Sequence, residues 1–189
     1  MSFVDLRIET ERLILRPPTL HDLDRWAGMM ADPLAARFLG GVQSREIVWR
    51  GMMTMIGSWA ATGVGMSSML EKGSGKWLGR CGPWFPLGWP GPEVGWGLHP
   101  DAWGRGYAFE AARVGMDYAV DVLGWTEIIH SIHPDNEPSI KLAKRLGSRL
   151  IGPKQLPPPF TEEPSNCWGQ SASDWRRTGA GLSAGDASR

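Results

Sequence analysis

The residues best suited to chemistry lie in Trp103-Gly104-Arg105-Gly106-Tyr107-Ala108. A strand pattern, Glu93–Leu98, runs into this turn, and a long helix pattern leaves it at once. Two glycines let the backbone approach a ligand closely and take positive φ. The helix start adds unsatisfied N–H groups and the positive end of the macrodipole. Together these suit an anion such as a diphosphate, and Arg105 adds a cation. The competing reading is that Gly104 and Gly106 only shape a tight strand-to-helix connection. Further along, His133-Pro134-Asp135-Asn136-Glu137-Pro138-Ser139 ends another strand and opens a helix that closes on Lys144-Arg145-Leu146-Gly147.

Other patterns fail on context. Gly181-Leu182-Ser183-Ala184-Gly185 has nucleophile-elbow spacing but lies in a small-residue tail, without the strand and helix that an elbow needs. Gly73-Ser74-Gly75-Lys76 resembles a phosphate loop, yet Trp77 stands where a hydroxyl must hold magnesium, and a hairpin explains it better. His130 and His133, three apart on a strand, point to opposite faces, one inward and one at the surface. Cys81 and Cys167 are too few for a disulfide framework or a four-ligand zinc site, so each is expected to be buried and inert, and no metal is expected. A reducing compartment fits this usage.

These residues must be positioned by a chain of 189 residues, 42% hydrophobic and 21% charged, which suits a globular domain. Twenty Lys and Arg balance twenty Asp and Glu. Zero net charge argues against a life spent mainly on nucleic-acid phosphates and leaves room only for a local basic patch. Neither a membrane-length apolar run nor a basic-then-apolar leader is visible, so a cytoplasmic protein is expected. Eleven tryptophans point to packed loops, an aromatic-lined cleft or a subunit interface, and a homodimer is one expectation.

Glu11–Arg16 reads as a strand ended by Pro17-Pro18. Thr19 and Asp22 then open a helix with the stripe Leu20, Leu23, Trp26, Ala27 and Met30. A second helix follows Ser44 with Ile47, Val48, Met52, Met55, Ile56 and Trp59, its methionines read as core filler. Strands are predicted at Val64–Leu70, Lys76–Cys81 and Glu93–Leu98, with Gly82–Pro92 as an irregular turn. The helix from Gly106 to Leu123 carries Ala108, Ala111, Ala112, Gly115, Ala119 and Val122 on one side, suited to close packing on a sheet. A strand Glu127–His133, a helix Glu137–Leu146, a strand start at Leu150-Ile151 and a last strand Asn166–Ser171 complete the pattern. This is a mixed α/β order without regular βαβ alternation, which disfavours a doubly wound dinucleotide fold. Residues 1–177 are expected to form one domain and 178–189 a frayed tail.

The pair of turns resembles the acetyl-CoA-binding half of the GNAT (Gcn5-related N-acetyltransferase) family, with Trp103 replacing the usual first residue of the glycine signature. Glu9-Thr10-Glu11-Arg12-Leu13-Ile14-Leu15-Arg16, the glycine turn and Asn136-Glu137-Pro138-Ser139 together resemble its RimJ/RimL-type branch, over about residues 8–177. The resemblance implies a twisted, mostly antiparallel sheet with splayed central strands flanked by helices. It implies that the amides of Gly104, Arg105, Gly106, Tyr107 and Ala108 hold the pyrophosphate of acetyl-CoA, that Asn136 contacts the pantetheine arm, and that an N–H near Leu98 polarises the thioester carbonyl. Gly95 and Gly97 are expected to host a bulge that drives the splay.

The activity so implied is N-acetylation of a primary amine, on a protein N-terminus or a small molecule, by direct attack on the thioester. The alternative is a non-catalytic acyl-CoA-binding sensor on the same fold. Many family members carry a tyrosine acid where this chain has Ala143, which directs attention to Ser139 as the acid, against a purely local hydrogen-bonding role. Glu93 is the base expected to act through water, against an exposed carboxylate at a strand start; Glu162, Glu163 and His99 are further options. Glu110 is read as structural, placed for the helix dipole. The acceptor walls are expected from the first two helices and the late loop, with Trp26, Trp49, Trp59, Trp84 and Trp89.

Overall fold

Eight strands pair in the order β1-β2-β3-β4-β5-β6-β8-β7, every neighbouring pair antiparallel except β5 with β6. The computed structural model describes residues 6–182, with 178–182 as backbone only. The strands are β1 Ile8–Glu9, β2 Leu13–Arg16, β3 Ser67–Glu71, β4 Trp77–Trp84, β5 Glu93–Leu98, β6 Glu127–Ile132, β7 Arg149–Pro153 and β8 Asn166–Ser171. The helices are α1 Leu23–Ala31, α2 Pro33–Ala36, α3 Arg45–Thr62, α4 Tyr107–Asp121, α5 Glu137–Arg145 and α6 Ala172–Leu182.

One face of the sheet carries α4. Its Ala111, Ala112, Gly115, Met116 and Ala119 pack on Leu13, Leu15, Met69, Leu78, Cys81 and Val94. A Cβ on Gly115 would come 3.2 Å from Val94 Cγ1 and 3.5 Å from Gly82 Cα, so the small side chains are what let this helix lie so close. The other face carries α1 and α3, whose Trp26, Met29, Met30, Val48, Met52 and Met55 pack around Met66 and Trp77. Asp22 ties α1 to the sheet: Arg16 binds both its oxygens, at 2.7 and 2.8 Å, and Ser68 Oγ donates to it at 2.7 Å. Burial alone would raise that carboxyl, but Arg16, the Thr19 N–H and Ser68 more than offset it and hold it low.

Several sequence expectations need correction. The stripes place Leu20, Ile47 and Val122 inward, whereas these side chains are 63%, 48% and 65% exposed; Met29 and Val120 are buried instead. The expected irregular turn at Gly82–Pro92 begins as strand, because β4 runs on to Trp84. Pro83 is tolerated there: it lies past the last β3–β4 partners, Ser67 and Cys81, where no ladder donor is needed. No bulge interrupts β5, whose register with β4 is continuous from Gly79↔Leu98 to Trp84↔Glu93. Register shifts lie elsewhere, between β3 and β4 at Met69/Leu70 and between β7 and β8 at Leu150/Gly152. Gly95 and Gly97 serve space instead, since a Cβ would meet Met66 Cε at 2.4 Å and Leu39 Cδ1 at 3.3 Å. The Gly/Ala/Ser-rich segment read as a tail from residue 178 is helical to Leu182 in α6; the rest of the elbow-like Gly181–Gly185 motif lies outside the described residues, as do Met1–Asp5.

The central strands do part. β5 and β6 share a single register pair, Glu93↔Ile129, with the Ile129 N–H on the Pro92 carbonyl at 2.9 Å. One residue on, a side chain takes over from the ladder. His130 Nδ1 lies 2.7 Å from the Val94 carbonyl and Nε2 3.0 Å from Ser148 Oγ. Because a carbonyl only accepts, Nδ1 carries the proton and Nε2 accepts from Ser148. The imidazole is fully buried, and burial pushes its pKa down to about 4, against the Val94 bond, which raises it. Between that value and the unfolded value near 6.5, the unfolded chain binds the extra proton, so this neutral His130 loses its stabilising effect as pH falls through the window. Urea unfolding at pH 7 and pH 4.5 should show a fall of up to about 3 kcal/mol from this group, and His130→Gln should remove most of that pH-dependent fall. An identical pH dependence in both proteins would contradict it.

Candidate functional site

The strand-to-helix turn is built as its sequence demands. Gly104 and Gly106 have φ of +70° and +77°, in the left-handed region where L side chains are strained, and Gly106 is the N-cap of α4. Its shape is also held from outside. Arg12 Nη1 donates to the Arg105 carbonyl at 2.9 Å, while Arg12 Nε and the Arg12 N–H reach Glu110 on α4 at 2.7 and 2.8 Å. Glu110 is thus structural, as the sequence suggests, and it acts through a clamp on Arg12, just before β2.

Beside the turn lies a groove of about 440 Å³, edged by Leu98, Gly104, Gly106, Tyr107, Ala108, Asn136 and Ser139 among others. Seven predicted site residues therefore meet in one place. The Arg105 side chain does not join them. Its guanidinium is exposed, reaches Glu71 at 3.2 Å and lies over the Tyr107 ring, whose OH donates to the same carboxylate at 2.6 Å. Arg105 contributes main chain to the turn, and its expected role as a side-chain cation is corrected accordingly.

Main-chain polarity along β5 follows from its register. The His99 N–H bonds the Leu78 carbonyl at 2.9 Å. Alternation in an antiparallel pair then turns the Leu98 and Trp96 amides away from β4, toward the gap before β6. Trp103 Nε1 already donates to the Leu98 carbonyl at 3.0 Å, on that same side. Asn136 caps α5, its Oδ1 accepting from the Ser139 N–H at 3.3 Å. Ser139 Oγ accepts from Trp96 Nε1 at 3.1 Å. That donor leaves the hydroxyl proton of Ser139 free to be given elsewhere. Ala143, by contrast, is fully buried in a cluster with Ile132, Ile140 and Trp168.

A second cavity, of about 720 Å³, opens on the α1/α3 face and shares Phe38, Leu39, Trp96, Asn136 and Ser139 with the first. Its walls include Trp26, Met30, Met55, Trp84, Trp89 and Phe160, with the late loop Leu156–Ser165 across the mouth. Of the expected tryptophan walls, Trp49 is 45% exposed and outside the lining, and Trp59 is buried with Nε1 on the Met66 carbonyl at 3.1 Å.

Glu93 lies in this second cavity, and it is 6% exposed, so the expectation of a surface carboxylate at a strand start is wrong. Burial raises its pKa to about 6, against the nearby Ser131, Trp89 Nε1 at 2.6 Å and the charge of Arg80. Glu163 also faces the cavity; Glu162 and His99 do not. Burial and Arg25 hold His99 below its ordinary range despite Asp101, whose N–H it caps. Sequence reasoning did not single out Arg80 or Trp96, and it took His130 only as one of a pair with one ring inward, which its burial bears out; the run Glu93-Val94-Gly95-Trp96-Gly97, with bulky residues alternating against glycine, signals that this strand lines something.

Among the described residues no three His, Cys, Asp or Glu side chains gather as a metal site, and no helix is long and apolar enough to cross a membrane. Comparison with known proteins matches residues 12–149 to the acetyltransferase (GNAT) domain model. The chain is 31% identical over 146 residues to the uncharacterised N-acetyltransferase p20 of Bacillus licheniformis, covering 76% of this chain and 82% of that one. An acetyltransferase of Agrobacterium tumefaciens superposes with a TM-score of 0.77 at 27% identity, over 87% of this chain and 94% of the other. The ribosomal-protein-S5-alanine acetyltransferase of Vibrio fischeri shares the fold, with a TM-score of 0.66 at 19% identity, over 90% of this chain and 99% of the other.

The turn itself can be tested without any ligand. A Cβ on Gly104 would touch nothing within 4 Å, so Gly104→Ala isolates the backbone cost. It should lower stability by about 1–2 kcal/mol in urea unfolding, with an unchanged m-value; no loss would contradict the left-handed turn.

Proposed function

The chain belongs to the GNAT acetyltransferase family, and from that premise we propose that it takes its acetyl group from acetyl-CoA and passes it to a primary amine by direct attack. One observation carries this reading: two cavities that join at Trp96, Asn136 and Ser139, one edged by the glycine turn and the other holding Glu93. The residues present fit such a donor. Left-handed glycines bring bare amides close to a diphosphate, and the first turn of the fifteen-residue α4 offers it the positive end of a helix.

When bound, acetyl-CoA supplies an activated thioester carbonyl and a thiol as leaving group. The amides of Gly104, Arg105, Gly106, Tyr107 and Ala108 bind the diphosphate, and Arg12 keeps them in place through the Arg105 carbonyl. The side-chain N–H groups of Asn136, whose Oδ1 is spent on the helix cap, face the amide-bearing arm. The Leu98 N–H, turned toward the parted strands, is the donor for charge developing at the carbonyl oxygen. Ser139 gives its proton to the departing sulfur while Trp96 Nε1 steadies the oxygen. Glu93 accepts the proton that the amine must lose, relayed by water across the cavity. With a pKa near 6 it is ionised at neutral pH and more basic than an ordinary carboxylate.

Ala143 lies in a buried cluster with Ile132, Ile140 and Trp168, so in this reading the acid is Ser139 and not that position. Since Glu93 must be deprotonated to act, kcat/KM should fall below pH 6 and rise through an apparent pKa near that value. Glu93→Gln should abolish that limb and lower kcat about 10²–10³-fold, and Ser139→Ala should lower kcat with an unchanged KM for acetyl-CoA. Full turnover in either variant would remove that residue from its role.

A further inference from the structure

Charge in the larger cavity is divided between its mouth and its floor. Arg50 and Glu163 are exposed at the mouth, whereas Arg80 and Glu93 come from the paired strands β4 and β5 beneath. Arg80 stands opposite Gly97, and Glu93 opposite Trp84. Four residue steps separate them along the strands, about 13 Å. The two side chains face a common space without touching. Trp89 Nε1 donates to Glu93 at 2.6 Å, and Arg80 acts on it through charge without an ion pair.

The Arg80 guanidinium feels the charge of Glu93 but makes no ion pair with it. It lies over the Trp26 ring at 5.4 Å from the centroid, and its buried Nε–H has no hydrogen-bond partner. Burial brings its pKa down to about 10, so it remains a cation at neutral pH. A cation drawn largely out of water with its Nε–H unused is costly, and a carboxylate is the partner whose geometry matches its fork.

We propose that the acceptor is an amino acid with a bulky apolar side chain, its carboxylate held by Arg80, its amine turned to Glu93 and its side chain among Trp26, Trp84 and Trp89. This rests on the acetyl-transfer reading above and narrows it. The cavity, about 720 Å³, falls in the ordinary range for small molecules. A peptide N-terminus brings no carboxylate beside its amine and leaves Arg80 unpaired. A polyamine brings a second positive charge toward it. Only an amine that carries its own anion satisfies both floor charges.

The test uses the full chain with acetyl-CoA, following thiol release and product mass. Phenylalanine, tryptophan, methionine and leucine are each compared with the amine that lacks the carboxylate, and with spermidine and a peptide bearing a free N-terminus. At least one amino acid should exceed its decarboxylated partner in kcat/KM by about 10- to 100-fold. Arg80→Met should erase that gap by raising KM for the amino acid alone, leaving KM for acetyl-CoA as it was. Arg80→Lys, which keeps the charge without the fork, should fall between. In the presence of CoA, the same amino acid should raise the melting temperature of the wild type but not of Arg80→Met. Equal or faster turnover of bare amines, spermidine or the peptide overturns the assignment, as does a panel with no acetylated amino acid. If acetyl-CoA itself fails to bind, the acetyl-transfer reading falls with it; if it binds while another amine is turned over, only the assignment of Arg80 falls.

Discussion

Everything at the site depends on a hydrogen-bond ladder that stops. β5 and β6 begin as parallel partners at Glu93 and Ile129 and then separate, and the bond that would have continued the ladder is made by a side chain, His130 on the Val94 carbonyl. A buried carbonyl left without a donor would cost about 1–3 kcal/mol, so the parting is sustainable only because the imidazole fills that place. Past this point the outward amides of Trp96 and Leu98 have no strand to pair with, and a ligand's own amides can take the vacant positions. The same parting lets the groove beside the glycine turn run through to the cavity over β4 and β5.

The electrostatics divide along the same line. On the groove side, polarity is supplied by main chain: amides at the start of α4, the Leu98 N–H and a capped α5, with Arg105 turned outward to Glu71. On the cavity side it is supplied by two charged side chains in aromatic surroundings, Glu93 raised and Arg80 lowered from their ordinary pKa values, chiefly by burial. Fixed dipoles suit a diphosphate that must bind the same way each cycle, whereas titratable groups suit a proton that must move. Trp96 and Ser139 stand where the two regions meet, joined by one hydrogen bond.

What the sequence makes legible is what local rules dictate. The glycine turn can be read because only glycine sits comfortably at φ near +70°, and α4 because close packing on the sheet demands small residues at one spacing. The chemistry that depends on distant partners is not legible. Arg12 looks like an ordinary strand-edge cation until folding brings it 93 positions along the chain to the Arg105 carbonyl. Glu93 reads as a surface acid at a strand start, and its burial follows from Trp89, Ser131 and the late loop closing over it. No bulge forms at Gly95 and Gly97, because those glycines answer to crowding by Met66 and Leu39 and not to register. α6 escapes notice because its Gly and Ala content resembles a frayed tail, although Trp175 docks it firmly by donating to Asp117 at 2.9 Å.

The central claim is that bare amides at the glycine turn and along the parted edge of β5 receive acetyl-CoA. Calorimetric titration of the wild type and of Gly106→Pro with acetyl-CoA tests it most directly, because proline removes one amide of the turn and cannot adopt the φ of +77° found there. The account predicts one molecule bound per chain in the wild type and a loss of at least about tenfold in affinity, or roughly 1.4 kcal/mol, in a folded variant. A wild type that gives no heat with acetyl-CoA by calorimetry and no shift in melting temperature, or a folded variant that binds it equally well, would contradict the account.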